Sequence, residues 1–523
     1  MISGKNIIAC EQSANGSNTY RTFDPLLNMD NEWQFIEATD SEIDLAVEKA
    51  VQAFETYSKK SGSERGVFLN QIADEIEALG DELIAAYCKE TGLAEGRAKN
   101  ERGRTVGQLR MFAKLVVEGS WVQATIDNGQ PERQPMAKPD LRKMLFPIGP
   151  IVVFGASNFP LAYSTAGGDT ASALASGCPV IVKSHPMHAG TGELVASAIV
   201  KAVSKTGMPK GVFSNLNSTG HEVGQKLVEH PKVKGVGFTG SIKGGRALYD
   251  IAAKRDEPIP VFAEMGSINP VVFLPRALAE KKKEWAKTYA GSITLGTGQF
   301  CTNPGLMLAL ASDDLDEFIA LLSKEILDIA PMCMLNPGIK NNYATNKGKM
   351  MQQQGLTVVA DYSQEVKTNF AQQAVTKVSG AEFLENSTLH QEVFGPFSMI
   401  VACKDVHELT LVISTLEGQL TGTVVSVQNE IKDYEKVVTA LQSRVGRLIF
   451  NGVPTGVQVC AAMMHGGPYP ASTDNRFTAV GIHSINRWVR PVSFQDWPNE
   501  LLPNELKKEN PLGIKRNVDG NWM

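Results

Sequence analysis

The sequence predicts an α/β protein built on two parallel β-sheets. From Met144 onward, short apolar runs without alternating polarity are separated by Gly, Pro and Ser and by segments of helical length. Such runs suit strands that are buried on both faces in repeated βαβ units. The chain has 523 residues, which is more than one hydrophobic core usually supports, so at least two domains are expected.

The first block of strands is predicted to bind a nucleotide. Its apolar runs are LFPIGPIVVFG, PVIVK, GVFSNL, VKGVGFTGS and PIPVFAEMG. Ligands of open parallel sheets bind beyond the carboxyl ends of the strands. The residues that end these runs are therefore the first candidates for a site: Asn158, Lys183, Gly240 and Glu264.

A second α/β block follows, with the runs PVVFL, LMLAL, GPFSMIVAC, GTVVSVQ and GRLIF. Ahead of both blocks, residues 39–57 have helical periodicity with Thr39 and Glu42 as a capping box, and helical patterns continue through residues 64–118. The polar, proline-bearing tail is typical of an arm that packs on another subunit. We therefore expect a nucleotide-binding domain with a helical lead-in (1–120 and 144–266), a catalytic domain (267–460) and oligomerisation segments (121–143 and 480–523).

The composition argues against several classes of protein. Hydrophobic residues at 43% and charged residues at 20% are ordinary for a globular chain. A net charge of -5 and a pI near 6.0 give no general attraction to nucleic acid or anionic lipid. Without a membrane-length apolar run or a secretory signal, the chain is expected to be cytoplasmic. The seven cysteines form no CxxC pair, so neither a disulfide framework nor a zinc site is expected.

Three residues could carry out acyl chemistry, each with an ordinary structural alternative. Cys301, in the turn-rich loop GTGQFCTNPG, could present a thiol to a cleft, although free cysteines are more often buried structural residues. Glu264 ends an apolar strand and could be a general base or part of an ion pair. The Asn158 carboxamide could donate to an oxyanion or could only form a turn.

The segment FTGSIKGG, residues 238–245, could cradle a phosphate. Its backbone NH groups lie at a predicted strand-to-helix turn, where they could face a pyrophosphate. The segment is not a GxGxxG fingerprint, so the signal is weak by itself. Lys183, at the end of VIVK, could bind an adenosine ribose or could simply be solvated.

Taken jointly and in this order, these segments resemble the aldehyde dehydrogenase superfamily from about residue 20 to residue 500. The family's Asn-Phe-Pro segment stands at residues 158–160, its strand lysine at Lys183 and its phosphate turn at residues 238–241 with Gly245 beyond. Its glutamate motif stands at residues 264–267 and its nucleophile loop at residues 298–301. Its Glu-x-Phe-Gly-Pro stretch matches residues 392–396.

The resemblance implies an aldehyde dehydrogenase-like fold with a Rossmann-type cofactor domain, a second α/β catalytic domain and a small oligomerisation arm. It makes Cys301 the nucleophile, Asn158 an oxyanion donor and Glu264 the base that activates water. Phe159 and Phe300 become walls of the substrate pocket, no metal is implied, and a homodimer or homotetramer is expected. The implied cofactor contacts are Lys183, Ser157, Gly240, Ser241, Gly245, Met265, Gly266, Glu392 and Phe394.

Departures from the family pattern bear on the cofactor. Ser157 replaces a common tryptophan and Ser267 the second glycine of the glutamate motif, and neither change removes a reactive group. Pro186 stands where many NAD-using relatives carry a ribose-binding glutamate that would repel a 2′-phosphate. NADP is therefore the preferred expectation, with His185 or Ser184 as phosphate contacts, while NAD stays allowed.

The segments around residues 166–194, 298–306 and 466–481 look like the branch of the superfamily that contains 2,5-dioxovalerate (α-ketoglutarate semialdehyde) dehydrogenases. That branch implies oxidation of 2,5-dioxopentanoate to 2-oxoglutarate, with a fatty aldehyde as the alternative substrate. Arg104 and Gln108, one helical turn apart, are a hypothesis for binding a substrate carboxylate, and they could equally be surface residues. Glu264 argues against a coenzyme A-acylating enzyme, and the joint presence of Cys301, Glu264 and Asn158 argues against a non-catalytic homologue.

Overall fold

The helices account for much of the surface of the protein. A computed structural model describes residues 2–427 and 429–523. The predicted capping box of the first helix is confirmed, with Thr39 and Glu42 each bonded to the other's backbone. The helices are α1 (Asp40–Tyr57), α2 (Gly62–Ala78), α3 (Gly80–Thr91), α4 (Glu95–Glu118), α5 (Gly168–Ser176), α6 (Ala189–Thr206), α7 (Glu222–Glu229), α8 (Ile242–Ala253), α9 (Pro275–Thr294), α10 (Asp313–Asp328), α11 (Pro337–Met351), α12 (Gly380–Glu385), α13 (Val406–Thr415) and α14 (Glu435–Gln442).

The strands form three larger sheets and one hairpin. The strands are β1 (Asn6–Ile8), β2 (Glu11–Ser13), β3 (Thr19–Asp24), β4 (Met29–Ile36), β5 (Thr125–Asp127), β6 (Leu141–Pro147), β7 (Ile151–Phe154), β8 (Val180–Lys183), β9 (Phe213–Leu216), β10 (Gly235–Thr239), β11 (Val261–Glu264), β12 (Val271–Phe273), β13 (Leu306–Leu310), β14 (Thr357–Asp361), β15 (Ala374–Ser379), β16 (Phe397–Cys403), β17 (Gln419–Val425), β18 (Val445–Phe450), β19 (Val489–Gln495), β20 (Asn517–Val518) and β21 (Asn521–Trp522).

The first sheet has the order β11-β10-β7-β8-β9-β1-β2, and its strands from β11 to β9 run parallel. From β7 the chain proceeds outward through β8 and β9, then returns to add β10 and β11 on the other side of β7. This is the Rossmann-type strand order, and its direction reverses between β7 and β10. A ligand crevice is therefore expected at the carboxyl ends of these two strands.

Both faces of each parallel sheet are covered, which explains the continuous apolar runs. Ile151 and Val153 pack in one hydrophobic cluster and Val152 in another on the opposite face. In the second sheet, Val272 and Val271 divide between two clusters in the same way. Because a strand buried on both sides needs apolar residues at every position, alternation is absent.

The second sheet has the order β14-β15-β16-β13-β12-β17-β18, in which only β14 runs antiparallel to its neighbour. The predicted strands of this block are confirmed at β12, β13, β16, β17 and β18. The predicted run GTVVSVQ ends on Gln428, which lies outside the described residues. The two sheets together confirm the predicted α/β fold class.

The expectation of a purely helical lead-in is wrong for residues 6–36. Here β1 and β2 extend the first sheet, and β3 and β4 form a hairpin. The strands β1 and β2, of three residues each, have too few positions for a readable period. The longer β3 and β4 bury polar side chains, Thr22 and Asn31, so they lack the apolar pattern of a strand.

The segments 121–143 and 480–523 meet in one sheet, β19-β6-β5-β20-β21. The tail also contributes to the first domain's core, since Trp488 is fully buried and its indole NH donates to Ser172 at 2.8 Å. The oligomerisation role of these segments stays a prediction. Among the described residues, no helix has the length and apolarity needed to span a membrane.

Candidate active site

The reversal point of the first sheet gathers the predicted reactive groups. Asn158 follows β7, Gly240 and Ser241 follow β10, and Glu264 ends β11. The loop after α9 brings Cys301 to the same place. That loop needs glycine at Gly298, where φ is 64° and an added Cβ would lie 2.2 Å from a backbone oxygen.

Cys301, Glu264 and His465 form a three-cornered cluster. The Nε2 atom of His465 lies 2.9 Å from Oε1 of Glu264 and 3.7 Å from Sγ of Cys301. Glu264 and His465 are almost completely buried, whereas Cys301 is half-buried. One imidazole nitrogen therefore lies within reach of both the carboxylate and the thiol.

The surroundings of this cluster shift the pKa values of Cys301 and Glu264. Burial, followed by the charge of Glu264, raises the pKa of the Cys301 thiol well above its usual value. Burial would also raise the pKa of Glu264, but its interactions with His465, Cys301 and Arg104 together outweigh burial, so that pKa lies below its usual value. The resting state is therefore a thiol beside a carboxylate, and a base must take the thiol proton before attack.

His465 was missed by the sequence reasoning. It stands in the turn-rich segment between the second block of strands and the tail, with no periodic pattern around it. Its only sequence signal is its position directly before GGPYPAS, the segment that carries part of the closer family resemblance. The structure brings it to Cys301 across 164 residues of chain.

Asn158 lies beside the nucleophile loop. Its Nδ2 donates to the carbonyl oxygen of Gln299 at 3.1 Å, and Asn158 and Cys301 line the same groove. An amide nitrogen carries two hydrogens, so one remains for an oxygen that develops negative charge near Cys301.

The groove on one side of Cys301 has features that suit a dinucleotide. Its volume is about 320 Å³. Ser241 caps the N-terminus of α8, where backbone NH groups favour an anion such as a phosphate. The predicted cofactor residues that line this groove are Ser157, Gly240, Ser241, Met265, Gly266, Glu392 and Phe394.

Two of the predicted cofactor-binding residues, Lys183 and Gly245, do not line this groove. Lys183 is buried at the end of β8, where its Nζ donates to the Ser218 carbonyl at 2.8 Å. Gly245 lies in α8 against Met265, whose sulfur would be 2.6 Å from an added Cβ. Gly245 therefore allows close packing of α8 on the strand edge.

Glu392 faces the groove with its carboxylate. Burial raises its pKa to about 7, against the opposing effect of a hydrogen bond from the Ser267 backbone. An added Cβ at Gly266 would lie 2.5 Å from Oε2 of Glu392. This carboxylate is free to accept hydrogen bonds from a ligand's hydroxyl groups.

A second cavity, of about 490 Å³, opens on the other side of Cys301. Phe159 and Phe300 pack edge to face at 5.7 Å between ring centroids and form part of its wall, as predicted from sequence. Its remaining lining includes Arg97, Asn100, Arg104, Tyr163, Leu295 and Val457. Cys301 is thus open to one cavity suited to a cofactor and to another suited to a substrate.

The two arginines of the second cavity differ in their partners. Arg97 stacks over Phe159 and Phe300 and forms an ion pair with the buried Glu101 at 3.5 Å. Arg104 forms no ion pair within the described residues: Nη2 donates to the hydroxyl of Tyr163 at 3.0 Å, and Nε has no hydrogen-bond partner.

Of the predicted pair on α4, only Arg104 reaches this cavity. Gln108 is buried against Gly168, one helical turn farther on, and lines neither cavity. The hypothesis that Gln108 also binds substrate finds no support in its position.

The profile of the aldehyde dehydrogenase family matches residues 12–489. The chain belongs to the aldehyde dehydrogenase family. It is 47% identical over 520 residues to alpha-ketoglutaric semialdehyde dehydrogenase 2 of Azospirillum brasilense, covering 99% of each chain. It is 41% identical over 518 residues to the alpha-ketoglutaric semialdehyde dehydrogenase of Acinetobacter baylyi, covering 99% of this chain and 98% of that one.

Solved structures share the fold of this aldehyde dehydrogenase. Betaine aldehyde dehydrogenase from Staphylococcus aureus, in complex with NAD+, matches with a TM-score of 0.81 at 18% identity and covers 95% of this chain and 96% of that one. A 1-pyrroline-5-carboxylate dehydrogenase matches with a TM-score of 0.78 at 21% identity, covering 94% and 92%. The predicted aldehyde dehydrogenase-like fold is thereby confirmed.

Proposed function

We propose that this aldehyde dehydrogenase oxidises 2,5-dioxopentanoate to 2-oxoglutarate with a nicotinamide dinucleotide. The observation that carries the proposal is the 47% identity over 99% of the chain to an enzyme named for this substrate. The unpaired Arg104 in the cavity beside Cys301 supports it, since the substrate combines an aldehyde with a carboxylate.

The first step is attack of the Cys301 sulfur on the aldehyde carbon. The thiol proton passes to Nε2 of His465, which lies 3.7 Å from the sulfur. The new C–S bond leaves an oxyanion, which Asn158 and the Cys301 backbone NH stabilise. A nicotinamide dinucleotide, held by the residues that line the groove beside Cys301, would supply the hydride acceptor that converts this adduct into a thioester on Cys301.

The second step is hydrolysis of that thioester. Glu264 takes a proton from water while His465 holds its carboxylate in the ionised form, consistent with the lowered pKa of Glu264. The water oxygen forms the new bond to carbon, the C–S bond breaks, and the sulfur leaves as thiolate. The product acid departs, the Cys301 thiolate takes back its proton from His465, and Glu264 releases to solvent the proton that it took from water.

Arg104 determines the preference for a substrate that bears a carboxylate. Its guanidinium group is held by the Tyr163 hydroxyl and packs over the Tyr163 and Phe159 rings at 5.1 and 5.8 Å from their centroids. A guanidinium that is already oriented and lacks a protein carboxylate binds an anionic substrate group with little rearrangement. Arg97 is less suited to this role because Glu101 already balances its charge.

The preferred cofactor is NADP, which we infer from the end of β8. Lys183, whose pKa burial lowers to about 8, is followed by Ser184, His185 and Pro186 without an acidic side chain. Glu37 attracts Lys183, yet the hydroxyl and backbone NH of Thr219 occupy one of its oxygens. Burial lowers the pKa of His185 well below its usual value, so His185 serves a phosphate as a neutral hydrogen-bond donor.

The test is a comparison of substrates and cofactors with the purified enzyme. Formation of reduced cofactor is followed with 2,5-dioxopentanoate and with hexanal, each with NADP or NAD, and 2-oxoglutarate is quantified as product. The proposal expects a much higher kcat/KM for the dioxo acid and a higher value with NADP. Faster turnover of hexanal would favour the fatty aldehyde alternative, and faster turnover with NAD would overturn the cofactor assignment.

A further inference from the structure

The catalytic cluster has the composition of a transition-metal site. Cys301, Glu264 and His465 each offer one ligand atom, and these three atoms all lie within 4.8 Å of one another. Sulfur, imidazole nitrogen and a carboxylate oxygen are the ligands that zinc takes in proteins. The aldehyde chemistry described above uses none of them to bind a metal.

The distances also suit a tetrahedral ion. Zinc lies about 2.3 Å from sulfur and about 2.0–2.1 Å from nitrogen or oxygen, so tetrahedral angles place sulfur and nitrogen about 3.6 Å apart, and nitrogen and oxygen about 3.4 Å apart. The corresponding distances are 3.7 Å from His465 to Cys301 and 2.9 Å from His465 to Glu264. The separation between the His465 nitrogen and the Glu264 oxygen would have to widen by about half an ångström to reach the tetrahedral value.

The charges around this site favour a cation, and the neighbouring cavities give a cation access to it. Neither oxygen of the buried Glu264 has a well-aligned hydrogen bond. A thiolate and a carboxylate together carry two negative charges, which a divalent ion neutralises in a buried place where an unpaired charge is costly. Cys301 lines both cavities, so an ion can arrive from either side.

We propose that Cys301, His465 and Glu264 bind one Zn²⁺ ion, with the fourth position open, and that this ion reversibly inhibits the enzyme. Binding forms bonds from zinc to sulfur, nitrogen and oxygen, and it releases the thiol proton to solvent. The sulfur lone pair is then engaged, so Cys301 can attack neither an aldehyde nor an alkylating reagent. This proposal does not depend on which aldehyde the enzyme oxidises.

The test is calorimetric titration of the cofactor-free enzyme with Zn²⁺, together with Co²⁺ as a spectroscopic probe. We expect one tight site per chain, a thiolate-to-cobalt absorption band, and protection of Cys301 from iodoacetamide that a chelator reverses. Loss of an outer-shell partner already weakens metal binding by about 10–100-fold, so Cys301→Ser and His465→Gln should each weaken it by at least about 100-fold.

Cys460→Ser is the matched control, because Cys460 is also half-buried but lies outside the cluster. It should bind Zn²⁺ as the unaltered enzyme does. Absence of a tight site or of the cobalt band in the unaltered enzyme would overturn the proposal. So would tight binding that survives in both Cys301→Ser and His465→Gln, since the ion would then lie elsewhere. The cobalt band and the thiol protection are read on the unaltered enzyme, so a variant that fails to fold does not obscure the result.

Discussion

Replacement of Arg104 by methionine should change the substrate preference of the enzyme while leaving its chemistry intact. Methionine keeps an unbranched apolar stem but removes the guanidinium group that lies over the Phe159 and Tyr163 rings, and its charge with it. The substrate carboxylate would then enter a cavity that has lost its one guanidinium without an acidic partner among the described residues.

The expected loss in kcat/KM follows from the interaction between the Arg104 charge and the substrate carboxylate. Two unit charges 4 Å apart attract by about 4 kcal/mol at an effective dielectric constant of 20. The substrate carboxylate must give up water to enter, and hydrogen bonds to charged groups contribute about 1.5–3 kcal/mol net. We therefore expect kcat/KM for 2,5-dioxopentanoate to fall by about 10- to 150-fold, mostly through KM.

The assay measures kcat/KM for 2,5-dioxopentanoate and for hexanal side by side. Hexanal has no carboxylate, so its kcat/KM should change little or rise. Arg110→Met is the control, because Arg110 lies on the same helix but pairs with Asp74 and Glu77 at the surface. An equal loss for both aldehydes would refute the reasoning, since Arg104 would then support the structure without recognising the carboxylate.

Three further changes test the other groups of the site. Asn158→Ala should lower the rate of hydride transfer in single turnovers by about 100-fold, because it removes an oxyanion donor; an unchanged rate would exclude that role. Glu392 binds ribose hydroxyls best when ionised, and its pKa is about 7, so the KM for the cofactor should rise as the pH falls below about 7, by up to about tenfold per pH unit. Glu392→Gln should flatten that profile, and a slope that persists in this variant would assign the titration to another group. Gly266→Ala places a methyl group 2.5 Å from Oε2 of Glu392. It should therefore raise the KM for the cofactor with little change in Tm. An unaltered KM would show that cofactor binding does not need Glu392 in this position.

The sequence could predict much of the fold because its parallel strands are buried on both faces. Runs such as PVIVK and LMLAL are apolar at nearly every position, and the structure places strands at both. The strands β1 and β2 escape prediction because each has only three residues and β1 pairs with β9 through one register contact. Pairing across 200 residues leaves no local signal.

The candidate site could be predicted where its residues end strands or stand in ordered motifs. Asn158 and Glu264 follow directly from the strand ends, and Cys301 from its loop. His465 and Arg97 could not be predicted in this way. His465 stands in an aperiodic segment, and Arg97 lies on a polar helix where a charged residue is ordinarily solvated. Only the packing of the chain brings either residue to Cys301.

The central claim is that Cys301 carries the substrate as a thioester that Glu264 hydrolyses. The most direct measurement is intact-protein mass spectrometry of Glu264→Gln after a single addition of 2,5-dioxopentanoate and NADP, with peptide mapping of the adduct. The account predicts about one equivalent of reduced cofactor per site and a 2-oxoglutaryl group on Cys301, because hydride transfer proceeds while hydrolysis stalls. Unimpaired steady turnover of this variant, or a reduced cofactor burst with no adduct on Cys301, would contradict it.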